Sequence, residues 1–194
     1  MHLWNFVTDY GDSAVTLPLA LVTLAILFAS GATRLLRAWL IAVAACGLSI
    51  ALLKVGLGCG ADGPLGRPFS PSGHTAMSTL VYGGLALIAA RGLARSWRVA
   101  AVAFVLAGVA AIAVSRVFLR AHTAGEVAVG LAVGASSLAL LAWMSRTAEV
   151  RIDWHRLGAG ALLVMLVMHG TRWPIEEALH RMTDRIRVVV PDCD

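Results

Sequence analysis

Six apolar runs, each close to the length of a bilayer-spanning helix, follow one another almost without a break, at about 14–31, 36–56, 74–91, 98–115, 123–144 and 158–171. A helix needs ~20 apolar residues to cross the hydrocarbon core. In lipid every backbone N–H and C=O must pair within its own segment, so runs of this kind have few solutions. They predict an all-α fold, a polytopic membrane bundle of about six transmembrane helices. Composition agrees, because 59% hydrophobic and 14% charged residues, with a mean hydropathy of +0.80, supply more apolar surface than one small soluble core can enclose. The last run is the shortest and contains His169.

The stretch before the first run lacks a positive segment and carries Asp9 and Asp12, and the run itself is too long for a signal sequence, so the first span is expected to stay in the protein. With no internal repeat or Pro/Ser-rich linker, residues 1–194 read as a single membrane-embedded domain. Arginines set its expected orientation. Arg34 and Arg37, then Arg91, Arg95 and Arg98, then Arg146, Arg151 and Arg156 fall in alternate loops, which share one side and, by the positive-inside bias, the cytoplasmic one. The intervening polar segments then face the periplasm of a bacterial inner membrane. Beyond the last run, from about 172 to 194, Ile175, Leu179, Met182 and Ile186 recur at helical spacing after Pro174, predicting an amphipathic segment begun by Trp173, either at the interface or packed on the bundle end. Cys59 and Cys193 both fall on the expected periplasmic side, where an oxidising compartment permits a disulfide; two separate thiols are the plainer alternative.

Three polar islands interrupt the apolar pattern at span ends: Lys54 with Arg67-Pro68, then Pro71-Ser72-Gly73-His74, then Ser115-Arg116 followed by His122 and Glu126. Ionisable groups beside spans are costly and mark functional sites. Pro71-Ser72-Gly73-His74 stands where loop gives way to the third span, so exposed N–H groups and the positive helix end favour an anion there, and Gly73 permits close approach. An N-cap serine alone would explain Ser72 without function. His122 and Glu126 are four residues apart, which on a helix stacks them on one face; the carboxylate can then orient the imidazole and fix its tautomer. A plain helix-stabilising pair is the alternative. Lys54 is the only lysine among 16 basic side chains. As a point charge it complements the planar forks of Arg67 and Arg116, and together such cations suit a phosphoryl group.

Taken in order, these motifs resemble the type 2 phosphatidic acid phosphatase superfamily, over the 73 residues from Lys54 to Glu126. The resemblance implies an integral-membrane phosphatase with a phosphohistidine intermediate: His122 as nucleophile, Glu126 as its orienter, His74 as the acid for the leaving oxygen. It implies that Lys54, Arg67, Ser72, Gly73 and Arg116 hold the phosphate, and that the reaction needs no metal or other cofactor. Lipid phosphates and pyrophosphates are the expected substrates, undecaprenyl pyrophosphate first; phosphatidic acid, phosphatidylglycerol phosphate and lipid A phosphates, or phosphoryl transfer to another lipid, are alternatives. The sequence departs from the family in three places. Twelve residues separate Lys54 from Arg67, a longer interval than usual, and this Gly-rich 55–66 loop suits a flap over the site. Glu126 replaces the usual aspartate. One span precedes the first motif fewer than expected, and one follows the core instead.

A transporter or channel component using Arg67, Arg116 and Arg120 as an anion path is the non-enzyme alternative, although the charges gather at one membrane face. A metal site built from His74, His122, Glu126 and Asp62 lacks the usual paired-ligand spacing. No nucleic-acid motif accompanies the net charge of +5, and oligomeric state stays open. The partners expected are the bilayer and a lipid phosphate.

Overall fold

The computed structural model describes residues 1–57, 68–148 and 152–173. Arg67, Asp62, Cys59, Cys193, the loop beyond Leu57 and the tail from residue 174 lie outside the described residues. Those described form an all-helical bundle: α1 (His2–Asp9), α2 (Ser13–Ala29), α3 (Thr33–Leu57), α4 (Gly73–Ala90), α5 (Arg95–Phe118), α6 (Ala124–Ser145) and α7 (Trp154–Met168). α2 to α7 occupy the six apolar runs in order. Four segments are long and apolar enough to cross a membrane: the α1–α2 segment, α3, α5 and α6. α4 has 18 residues and α7 has 15.

α4 is shorter and less apolar because it faces protein. Thr75, Ala76, Ser78, Leu80, Val81, Gly84 and Ile88 are buried around its whole circumference, and α2, α3, α5 and α6 surround it. The closest approach is to α6, where a Cβ at Gly130 would stand 2.5 Å from the Ser72 carbonyl oxygen and one at Gly134 2.5 Å from that of Ala76. Two glycines four residues apart thus let the backbones touch, the small-residue packing that joins helices where lipid supplies no hydrophobic drive. On the other flank Gly84 leaves room for the Trp39 ring, whose indole N–H donates to the Ala20 carbonyl at 3.1 Å. α7 packs on α2, and α1 on α5.

The arginine-rich loops meet at one end of the bundle. Arg34 donates to the Thr147 hydroxyl at 2.6 Å, and Arg91 to the Ser145 carbonyl at 2.8 Å and hydroxyl at 2.7 Å. The opposite end gathers the C-termini of α3 and α5 and the N-termini of α2, α4 and α6.

Two expectations are corrected in detail. His169 is not within the last helix; it follows Met168 with extended backbone, packs on Phe6 and Tyr10, and its Nε2 lies 3.1 Å from the Phe6 carbonyl oxygen. The helix starts earlier than apolarity alone indicates because the Asp153 carboxylate caps it, accepting from the Arg156 N–H at 3.1 Å, and it ends at Met168. His122, expected on a helix with Glu126, precedes it, because Thr123 is the N-cap of α6.

Candidate active site

Thr123 and Glu126 form a capping box at the start of α6: the Thr123 hydroxyl accepts from the Glu126 N–H at 3.2 Å, and Glu126 Oε2 accepts from the Thr123 N–H at 2.8 Å. Glu126 does more than cap. Its Oε1 accepts from the Ser70 N–H at 2.6 Å, its carbonyl from the Ser72 N–H at 3.0 Å, and Oε2 stands 3.4 Å from His122 Nδ1. One residue therefore joins the Pro71-Ser72-Gly73-His74 segment to His122, and both Glu126 and His122 are only 2% exposed. Oε2 is near Nδ1, so Nε2 is the ring nitrogen that Glu126 does not face.

The spacing between Arg116 and His122 has a backbone cause. α5 ends in a Schellman turn, with the Arg120 N–H on the Val117 carbonyl at 3.0 Å and the Ala121 N–H on the Arg116 carbonyl at 3.0 Å; the His122 N–H reaches that same oxygen at 3.1 Å. The left-handed position that glycine usually fills is taken by Arg120, at φ 54°. Arg116 thus anchors the turn through its carbonyl while its guanidinium, buried, donates to the Thr8 hydroxyl at 3.2 Å.

At α4, Ser72 is the N-cap, its hydroxyl accepting from the Thr75 N–H at 3.4 Å and the Thr75 hydroxyl at 3.0 Å. Gly73 and His74 open the helix. Lys54 and Arg116 stand in the last turns of α3 and α5, where the negative helix ends favour cations. These helix ends surround a cavity of 590 Å³. Lys54, Gly73, His74 and Arg116 line its polar side; Leu17, Val43, Gly47, Ile50 and Met77 line an apolar side between α2, α3 and α4. Ser72, His122 and Glu126 are buried and are not among the residues that line it, whereas Leu119 and Ala121, next to His122 in the chain, are. Every expected site residue among those described is therefore brought to one end of the bundle, in two layers. Among the described residues, no three His, Cys, Asp or Glu side chains converge as metal ligands.

Sequence reasoning missed the contribution of the chain's first turn and of residues 172–173. Asp12 Oδ2 lies 3.3 Å from His74 Nε2. Asp9 Oδ1 pairs with Arg172 at 3.1 Å, and the Trp173 N–H donates to Asp12 Oδ1 at 3.3 Å. Asp9, Asp12 and Arg172 all line the cavity. No spacing signal relates residues so distant in sequence; two acids ahead of a first span were the available hint.

The PAP2 superfamily model matches residues 55–149, about half of the chain. An uncharacterized 22.5 kDa protein in the cps region of Klebsiella pneumoniae is 28% identical over 197 residues, covering 94% of this chain and 91% of that protein. No solved structure matches. Pro71-Ser72-Gly73-His74, Arg116 and His122 all lie in the matched segment: the chain belongs to the PAP2 superfamily and is a phosphatase of that type.

Proposed function

We propose that this protein hydrolyses a lipid phosphate or pyrophosphate, undecaprenyl pyrophosphate first among them, as a single-domain, multi-pass protein of a bacterial inner membrane with its site facing the periplasm. The observation that carries the reading is the cavity itself, with cations and His74 on one wall and apolar side chains from α2, α3 and α4 on another. A phosphate whose tail stays in lipid fits such a two-sided space. Lys54, Arg116 and Arg172 all reach it, and three cations suit the additional charge of a pyrophosphate. The arginine-rich loops at the opposite end support the orientation.

In this reading His122 Nε2 attacks phosphorus, the bond to the leaving oxygen breaks, and that oxygen takes a proton from His74. Water then attacks the phosphohistidine and gives its proton to the now neutral His74, which releases phosphate and restores both side chains. Glu126, facing Nδ1, fixes the His122 tautomer and stabilises the ring as it becomes charged. Lys54, Arg116, Arg67, Ser72 and the Gly73 N–H hold the phosphoryl oxygens, and no metal takes part. Because His122 is buried and does not line the cavity, the reading requires the site to open toward it as substrate binds.

The experiment is phosphate release by purified protein in detergent, with EDTA, from a panel of lipid phosphates and pyrophosphates, beside His122→Ala. Release that withstands EDTA and disappears in the variant supports the reading. Equal release by the variant removes His122 as nucleophile, and release stopped by EDTA and restored by a divalent cation removes the metal-independent step.

A further inference from the structure

The site contains two imidazole–carboxylate pairs, and the second takes its carboxylate from outside the matched segment. His74 belongs to α4, whereas its partner Asp12 comes from the turn between α1 and α2. Three features hold Asp12 in place. Its Oδ1 is committed to the chain, accepting from the Ala14 N–H at 2.8 Å as the N-cap of α2 and from the Trp173 N–H at 3.3 Å, so Oδ2 is left directed at His74 Nε2. The preceding residue, Gly11, packs the turn against the bundle so tightly that a Cβ there would meet Ile112 of α5 at 2.6 Å and the Ser78 hydroxyl of α4 at 3.2 Å. The Tyr82 hydroxyl of α4 donates to the Tyr10 carbonyl at 2.6 Å, fastening the turn from the other side. Asp12 is 6% exposed, so water screens the pair weakly.

We propose that Asp12 is a positioning residue for His74: it fixes the ring through Nε2 and favours its charged form, so that the proton offered to the leaving oxygen is the one on Nδ1. This rests on the role given to His74 above. The electrostatic need is visible in the cavity wall. Lys54 of α3, Arg116 of α5 and Arg172 after α7 share the space with His74 and each opposes a further positive charge there. Asp9 of α1 is engaged by Arg172 at 3.1 Å, and Glu126 of α6 faces His122 at 3.4 Å. Among the described carboxylates, Asp12 is the one directed at His74.

The test compares wild type with Asp12→Asn, which keeps a good N-cap acceptor and removes the charge, and with Asp12→Ala. All three are assayed in detergent on a polyprenyl pyrophosphate and on phosphatidic acid, and histidine-labelled protein is titrated in parallel by NMR, the His74 signal being identified by its loss in His74→Gln. Asp12→Asn is expected to lower kcat by about tenfold or more with KM changed less than about twofold. The alkaline fall of activity should move to lower pH, and the His74 signal should titrate at lower pH. Unchanged kcat and unchanged titration would reduce Asp12 to a helix cap and overturn the proposal. Loss of activity with an unchanged His74 titration would overturn it equally, since the loss would then come from packing. If wild type releases no phosphate from either lipid, the proposed function fails on its own account, and the NMR titration still decides whether Asp12 governs the charge on His74.

Discussion

His122 and His74 differ in where their carboxylates come from. Glu126 is four residues from His122 and is held by the cap of α6, just after His122, with its second oxygen on the Ser70 N–H. Asp12 is brought to His74 from another helix start and is held by the first turn of α2. One pair is part of a local backbone motif and is as strong as that motif; the other depends on the bundle closing correctly around α4. The first carboxylate therefore carries structure and chemistry together, while the second can lose its charge and keep its structural duty.

The largest effect should come from His122→Ala, expected to lower kcat by about 10⁴-fold or more in a phosphate-release assay. A residual rate within about tenfold of wild type would break the comparison at its root. Next, Glu126→Gln should lower both activity, by about 10²-fold or more, and melting temperature. The stability loss, about 1–3 kcal/mol, follows from weakening buried contacts to Ser70, Thr123 and His122 at once. Asp12→Asn should leave the melting temperature within a few degrees of wild type, and an equal drop in both variants would erase the distinction drawn here. Gly130→Val should lower the yield of folded protein, or stability by about 1–3 kcal/mol, because its side chain would displace the Ser72 carbonyl and with it the Ser72–Glu126 link. The smallest change is Arg120→Gly. Relieving a left-handed non-glycine residue should raise stability by about 1 kcal/mol, read as a shift in melting temperature.

The six apolar runs predicted six helices, and the match is close because span length and hydropathy follow directly from the bilayer. The spans bring the motif residues together by simple alternation: helices that run back and forth place the ends at 54, 73, 116 and 124 on one side. Local chemistry was readable where partners are near in sequence, as in the Glu126–His122 pair, although its means is a capping box and not a shared helix face. The Asp12–His74 pair was not readable, since it depends on how α2 leans on α4, which rests on Gly11 and Tyr82. The end of α7 was misplaced for a related reason: Asp153 starts the helix early, and His169 is drawn out of it by Phe6 and Tyr10.

The glycine contact between α4 and α6 has a consequence for how this protein tolerates change. At Gly130 and Gly134 the neighbour is main chain, which cannot be replaced or repacked by a compensating substitution elsewhere. In a saturation library sorted only for accumulation in the membrane, these two positions should be depleted as severely as any, whereas His122 should accept uncharged side chains of similar size. Sorted for turnover, the same library should lose all three. Subtracting one map from the other would leave His122 standing alone against a silent stripe of glycines, and would separate inheritance for assembly from inheritance for chemistry.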